Sequence, residues 1–429
     1  MKSIIQPVKG TRDFYPEQMA IRTWLYEKAR SVAESFGYQE YEAPMLESLE
    51  LYAARSGEEL VKEQSYVFPD RGGSEITLRP ELTASLARMI AQKQNELAFP
   101  VRWWSFGPFW RYERPQKGRT REFFQWNVDM LGAESPEADA ENVAVLATFF
   151  KQVGLNPSQV IILVNNRRLM DSQFDRFGIV KDIRPGVSSW IDRRGKMSPE
   201  AWENYSDEIG LSSTQLKSIK TMLDDKELWK QSDELPRFFS AIEALGISEY
   251  IRFDSSIVRG LQYYTGTVFE AWEVGGEIKR SILGGGRYDN LLADVGGEHL
   301  AGVGFAMGDV VITLLLQKND LLPKNLIIHP ASVLVTVFDQ ERLLASFKLA
   351  TELRQTGLNV AVYPETAKLP KQFKYADKIK ARVALVLGPD EIANNQVTIK
   401  DLSTGNQQTV LRVDAAKTIR QQVLESKSG

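Results

Sequence analysis

The sequence predicts an α+β fold: a mainly antiparallel sheet with flanking helices, a helical insertion, and a small C-terminal α/β domain. Three observations carry this reading. Aromatic-rich strand patterns alternate with helical ones over 1–135 and again over about 252–322. Polar, helical stretches such as QSDELPRFFSAIEALG fill the interval at about 160–250. Beyond LLPKNLIIHPA, the short branched strands SVLVTVF, NVAVYP and RVALVLG are separated by helices over 339–356 and 369–380, a βαβαβ rhythm of a parallel sheet covered on both faces. The expected divisions are a core in two parts, 1–159 and 251–323, an insertion at 160–250, and a last domain at 330–429. A chain of 429 residues suits about three domains at ~150 residues each.

The first helix begins at Pro16, repeats Ile21, Leu25, Val32 and Phe36 at helical spacing, and ends at Gly37. YQEYEAPMLES reads as extended, because Ala43 before Pro44 is biased away from helix. Residues 101–131 read as a long antiparallel hairpin, VRWWSFGPFWRY and EFFQWNVDML around the loop ERPQKGRTR. A second strand pair is expected over 263–272 and 278–283, joined through EVGGE.

Composition narrows the chemistry. Hydrophobic residues at 43% and charged residues at 25% fit a globular chain and exclude disordered or collagen-like classes. No apolar run approaches the ~18 residues of a membrane span, and MKSIIQPVKGTRDFYP lacks the apolar core of a secretory signal. With zero cysteines, thiolate catalysis, disulfides and Cys-type zinc sites are excluded, and a cytoplasmic location is expected. Only His299 and His329 are histidines, so no His-rich metal site is expected. The net charge of −3 means that a nucleic acid would have to be met by local basic patches.

Period-2 alternation in EFFQWNVDML puts Phe123, Gln125, Asn127 and Asp129 on one face, and Phe124, Trp126, Val128 and Met130 on the other. The first face reads either as the floor of a polar ligand site or as a solvent-exposed outer face. The adjoining loop carries Arg114, Lys117, Arg119 and Arg121, with Arg111 just before it and Glu113 at its start. Guanidinium groups over a polar floor suit phosphate oxygens, though a solvated charge cluster has the same composition. RPELT (79–83) offers Glu81 and Thr83 to an ammonium group, or simply an acidic helix start. SSIVRGLQYYTGTVFE sets Arg259 in an apolar, glycine-flanked turn before Tyr263 and Tyr264. Gly284, Gly285 and Gly286 before Arg287 and Tyr288 allow close backbone approach to a ligand, or a tight bend.

Taken in order, KGTRDFYP, RPELT, FGPFWRYERPQKGRTREFFQ, VRGLQYYTGTVFE and GGGRYDN closely resemble histidyl-tRNA synthetases, class II aminoacyl-tRNA synthetases, over essentially the whole chain. KLPKQFKYADKIKARVALVLGPDEI resembles the anticodon-binding domain of that family, and Pro44 falls where the class II dimer motif has its proline. The resemblance implies a class II synthetase-type antiparallel sheet, a homodimer, and ATP with Mg²⁺, L-histidine and tRNA(His) as cofactors and partners. By resemblance, Glu81 and Thr83 would hold the α-amino group of histidine, Gln125 its carboxylate, and Asp129 and Tyr264 the two imidazole nitrogens. Tyr263 and Tyr288 would line the same pocket. Arg111 would bind the α-phosphate, Glu113, Arg119 and Arg121 would fix ATP, and Arg259 would stabilise charge at the reacting centre. Gln116 in the loop is expected to meet tRNA.

Lys371, Lys374 and Lys378 recur at three and four residues, which places three cations on one helical face, with Lys368, Lys380 and Arg382 beside them. That stripe reads as a tRNA contact or as an ordinary solvated face. Three positions depart from the family pattern. Val311 stands where the third class II motif has an ATP-holding Arg, Gln262 replaces an acid before the two tyrosines, and Asp129 is one methylene shorter than the usual Glu. The lost Arg leaves two readings. One is a synthetase in which another cation, Arg119 or Arg121, covers the phosphates. The other is a paralogue that binds histidine or RNA without activating the amino acid, as the regulatory subunit of ATP phosphoribosyltransferase does; that subunit typically lacks an anticodon-binding domain.

Overall fold

The computed structural model describes residues 4–53, 63–195, 197–258, 264–276, 278, 280–290, 292, 296–324, 326 and 330–424. The chain divides into two compact units, Met1–Lys324 and Asn325–Gly429.

The first unit is built on an eight-stranded sheet. Its spatial order is Gln39–Glu40, Val101–Trp110, Glu122–Leu131, Gly302–Gly308, Leu283–Tyr288, Thr267–Glu273, Val160–Asn166, Ile251–Phe253. All the inner pairings are antiparallel; only the two outermost pairs are parallel. The long hairpin closes from Val101 opposite Leu131 to Trp110 opposite Glu122, as the alternation predicted. Its apolar face joins a core of Trp104, Trp126, Val128 and Met130 with Phe305 and with Phe149 of helix Pro136–Gln152. The Trp126 ring lies 5.1 Å from both Phe149 and Phe305.

Helix Pro16–Ser35 packs on the same core through Leu25, Ala29, Val32 and Ala33, a stripe repeating at four, three and one. Gly37 ends it with φ of 77°, a left-handed turn that only glycine adopts without a Cβ penalty. Ser135 caps Pro136–Gln152 by accepting from the Ala138 amide at 3.3 Å, which satisfies one of the orphan donors of that helix end.

Two strand expectations shift. The second pair is Thr267–Glu273 with Leu283–Tyr288, so its second strand begins where the sequence reading ended it; Leu283 faces Ala271, and Gly275 and Gly276 take positive φ in the connection. The three glycines at 284–286 therefore lie within a strand, not at a bend. Val160–Asn166 belongs to the main sheet, paired with 267–273, so the helical region starts at Arg167 and not at 160. Its helices include Arg184–Asp192 and Pro199–Glu208, locked by Trp190 and Trp202. These rings stack at 4.1 Å and 8°, and each indole N–H donates to the other residue's carbonyl, at 2.6 and 2.7 Å.

In the second unit, Val360–Val362, Val333–Val335 and Val383–Val386 pair in parallel as the rhythm predicted, between helices Leu343–Gln355 and Leu369–Lys378. The sheet is not purely parallel, however. An antiparallel hairpin, Gln396–Asp401 and Gln407–Leu411, extends it. Val397 and Ile399 point into the core while Thr398 and Lys400 alternate with them, a period-2 signal present in the sequence and overlooked there.

Candidate active site

A cleft of about 850 Å³ opens over the polar face of the main sheet. Its floor follows from strand register. Gln125, Asn127 and Asp129 of one strand lie opposite Gly308, Ala306 and Gly304 of the next. Gly304 and Ala306 in turn face Gly286 and Gly284. The same strands send Val303, Phe305, Met307 and Leu283 to the core. Two adjacent central strands thus present almost no side chain to the cleft, and a ligand can rest on backbone. The polar face of EFFQWNVDML is not an outer surface: Gln125 and Asn127 line the cleft, and Asn127 and Asp129 are buried.

The rim above this floor is the ERPQKGRTR loop. Its base is braced from the N-terminal segment, since the Gly10 carbonyl accepts from the amides of Arg121 and Glu122 at 2.8 and 3.2 Å. Arg12 donates to Asp309 at 2.8 Å, while the other oxygen of Asp309 accepts from the Phe124 amide at 2.9 Å. KGTRDF thereby ties the loop to the helix Asp309–Lys318. Burial pushes the Asp309 carboxyl up, and Arg12 opposes that.

Arg111, Glu113 and Arg119 all line the cleft, as expected from the sequence. Arg111 is held by its Nε donating to the Pro80 carbonyl at 2.9 Å and by the Phe123 ring 5.4 Å below its guanidinium. Arg119 pairs with the buried carboxylate of Glu113. Arg121 is different. It does not line the cleft; its guanidinium stacks on Tyr112 at 4.2 Å and donates to the Glu113 carbonyl at 3.2 Å, so it supports the loop from behind. Gln116 and Arg119 form a one-bridge turn at the loop tip.

Glu81 and Thr83 lie in the cleft wall at the head of helix Thr83–Lys93. The Glu81 carboxylate accepts from the amides of Thr83 and Ala84 at 3.0 and 3.2 Å, so the helix-start reading also holds. Tyr264 lines the cleft beside Gly286, where a Cβ would come within 2.9 Å of the phenol ring. Asp129 and Tyr288 sit deeper than expected. The Tyr288 hydroxyl donates to Asp129, both are buried, and neither forms part of the cleft wall. A Cβ at Gly304 would strike Asp129 Oδ1 at 2.1 Å, so glycine is required there for the carboxylate to fit. Arg259, Gln262 and Tyr263 lie outside the described residues.

Burial pushes Asp129 up to about 7, with the Tyr288 hydrogen bond opposing. The unfolded chain ionises near 3.8 while the native chain keeps its proton to about 7, so stability falls as pH rises through that window. Asp129→Asn removes the titration. It is expected to stabilise the chain at pH 8 by about 1–4 kcal/mol relative to its effect at pH 4. Urea midpoints of both proteins at the two pH values check this; an unchanged difference would refute it.

Comparison with known proteins decides the family. The family model for histidyl-tRNA synthetase matches residues 10–309, and that for an anticodon-binding domain matches 332–422. The chain belongs to the histidyl-tRNA synthetase family. It is 37% identical to the chloroplastic/mitochondrial histidine--tRNA ligase of Arabidopsis thaliana, over 94% of this chain and 84% of that one. It is 36% identical to the histidine--tRNA ligase of Leptospira biflexa, over 97% of both. Among solved structures, the histidyl-tRNA synthetase of Nostoc superposes with a TM-score of 0.79 at 28% identity, covering 98% of this chain and 99% of that one.

For a histidyl-tRNA synthetase family member, several cleft residues escaped the sequence reading. Glu270 and Trp272 project from the strand beside the glycine floor, with the Trp272 indole donating to Glu270 at 2.9 Å. Ser188, Ser189 and Asp192 reach the cleft from the helical region. Arg280 and Ser281 enter at the start of the GGG strand. Only Glu270 and Trp272 had a usable signal, since TVFEAWE places them two apart on one face. Val311 lines the cleft just beyond the end of the matched family region. Lys371, Lys374 and Lys378 are exposed on Leu369–Lys378, opposite its buried Gln372 and Ala376, and Lys371 reaches Glu365 at 3.3 Å.

Proposed function

We propose that the chain is a working histidine--tRNA ligase, which activates L-histidine with ATP and transfers it to the 3′ end of tRNA(His). The observation that supports this best is one cleft walled by Glu81, Thr83, Gln125 and Tyr264 together with Arg111, Glu113 and Arg119. The first group suits an amino acid, the second a nucleotide. In the proposed reaction the histidine carboxylate attacks the α-phosphorus and pyrophosphate leaves, so alignment and positive charge do most of the catalysis. Arg111 is assigned the α-phosphate, and Arg259 the charge beside it. Asp129, aimed by Tyr288, is assigned one imidazole nitrogen and Tyr264 the other. A site that bonds both nitrogens rejects side chains lacking them, because its own polar groups would go unpaired.

Magnesium is proposed to arrive on ATP, where it would supply positive charge to the phosphates. An ion carried in this way takes only one or two protein carboxylates. Glu270 in the cleft wall would be one such carboxylate. The two core segments, the helical region and the C-terminal unit are assigned the roles of catalytic core, acceptor-arm contact and anticodon-binding domain. Gln116 and the stripe of Lys371, Lys374 and Lys378 are assigned to tRNA.

A homodimer is proposed on the exposed Met45, Leu46, Val67 and Phe68 around the small sheet Leu46–Ser48, Glu75–Leu78 and Tyr66–Pro69. Light scattering that gives the mass of one chain would exclude it. A cytoplasmic location is proposed on the absence of cysteine; no helix among the described residues is long and apolar enough to cross a membrane.

The purified protein is expected to exchange pyrophosphate into ATP only when histidine is present, and to charge tRNA(His). The second reading, a histidine sensor, rests on Val311. Histidine binding with neither exchange nor charging would favour it. One neighbouring structure, described as an ATP phosphoribosyltransferase regulatory subunit/histidyl-tRNA synthetase from Bacillus halodurans, shares the fold at a TM-score of 0.71 and 21% identity.

A further inference from the structure

We infer that Arg280 supplies the phosphate-binding cation that the chain lacks at Val311. Three elements converge at this end of the cleft: the rim loop at Gly118, the first turn of helix Asp309–Lys318 at Val311, and the residues leading into the GGG strand at Arg280. Gly118 has φ of 79°, and a Cβ built there would lie 3.7 Å from Val311 Cγ2 and 3.8 Å from Arg280 Cδ. The two side chains therefore both border the loop at Gly118, so an arginine at 280 delivers its charge to the end of the cleft that residue 311 faces.

Among the described residues, the other cations that line the cleft, Arg111 and Arg119, are already committed. Arg119 is paired with Glu113, and Arg121 is turned away onto Tyr112. Arg111 is fixed by the Pro80 carbonyl and Phe123. Arg280 lines the cleft, and among the described residues no ion pair or side-chain hydrogen bond engages its guanidinium. A half-buried guanidinium with no carboxylate partner on a cleft wall is electrostatically incomplete, and a polyphosphate completes it with a bidentate, charge-assisted contact. Val311 next to it is apolar and buried, so it removes a competing positive charge and leaves room for the longer side chain. The ligand class is a nucleoside triphosphate, and the contact is to its outer phosphates, since Arg111 already occupies the floor side of the rim. This inference rests on the proposed use of ATP.

The test compares the wild-type full-length chain with Arg280→Ala, Arg280→Lys and the double variant Arg280→Ala/Val311→Arg. Histidine-dependent pyrophosphate exchange gives the KM for ATP and for histidine, and direct binding is measured with a non-hydrolysable ATP analogue. Arg280→Ala is expected to raise the ATP KM about ten- to hundredfold while leaving the histidine KM within about twofold. Arg280→Lys is expected to fall between, and Val311→Arg to restore most of the loss, because the charge returns to the same place. An unchanged ATP KM in Arg280→Ala, an equal rise in both KM values, or no recovery in the double variant would overturn the assignment. If the wild-type chain binds the analogue without exchanging pyrophosphate, the functional reading fails, and the analogue affinities of the same variants still decide the role of Arg280. A wild-type chain that binds no nucleotide overturns both.

Discussion

Arg111→Ala is expected to lower histidine-dependent pyrophosphate exchange about a thousandfold, with the affinity for histidine nearly unchanged. The reason is geometric. The Arg111 amide donates to the Arg121 carbonyl at 2.9 Å, Nε is held on the Pro80 carbonyl, and Phe123 supports the guanidinium plane. The group is oriented before substrate arrives, so its charge costs little reorganisation when negative charge builds on the phosphate. Removing one preorganised donor of this kind costs ~10²–10³ in rate, and a full positive charge stands at the upper end. The split between kcat and KM is the readout. A variant that loses histidine affinity as much as rate would make Arg111 a structural support for the rim. Arg111→Lys is expected to recover only part of the loss, because an ammonium cannot keep both the Pro80 contact and a planar face toward phosphate.

Arg287→Leu is expected to destabilise the first unit by about 3–5 kcal/mol, the cost of leaving a buried charge without its partner. Arg287 and Asp139 have side chains only 3% and 2% exposed, and their contact at 2.5 Å joins the GGG strand to the first turn of helix Pro136–Gln152. Arg287 also donates to the carbonyls of Ala133 and Ser135 at 2.8 and 3.1 Å and to Asp289 Oδ1 at 3.3 Å, so five acceptors lose a donor at once, counting both Asp139 oxygens. Burial pushes Asp139 up to about 6 even with Arg287 alongside. Without the guanidinium its proton is held still more tightly. The native carboxyl then stays protonated over a pH range in which the unfolded one is ionised, so the loss deepens as pH rises from 4 to 8. Urea melts across that range test the argument. A loss below about 1 kcal/mol at pH 8, or one that shrinks with pH, would refute it. Asp139→Leu added to Arg287→Leu is expected to recover part of the stability, since an apolar pair strands neither charge.

Much of the fold was legible because its signals are local. Alternation in EFFQWNVDML placed Trp126, Val128 and Met130 in the core and Gln125, Asn127 and Asp129 on the opposite face of the sheet. Pro16 and Gly37 bounded the first helix within two residues. Contacts made by distant residues were not legible. Tyr288 and Asp129 are 159 positions apart, and Arg287 and Asp139 are 148 apart; each meeting depends on sheet register, which no local period encodes. The same reason hid Ser188, Ser189 and Asp192, which reach the cleft from the helix whose Trp190 stacks on Trp202. Arg121 was misplaced for a smaller reason. Alternate residues of an irregular loop do not share a face, so its position two after Arg119 did not bring it to the cleft.

The bare strands at the centre of the cleft constrain how this protein could evolve. Gly284, Ala306 and Gly308 line the cleft with little or no side chain, and at Gly286 and Gly304 a larger residue would strike Tyr264 or Asp129. Side-chain variety must then be written around the perimeter, at positions such as 125 and 264, while the depth of the recess is fixed by main chain. A change of preferred substrate could proceed through those few outer positions and leave the hydrogen-bonded ladder beneath them untouched.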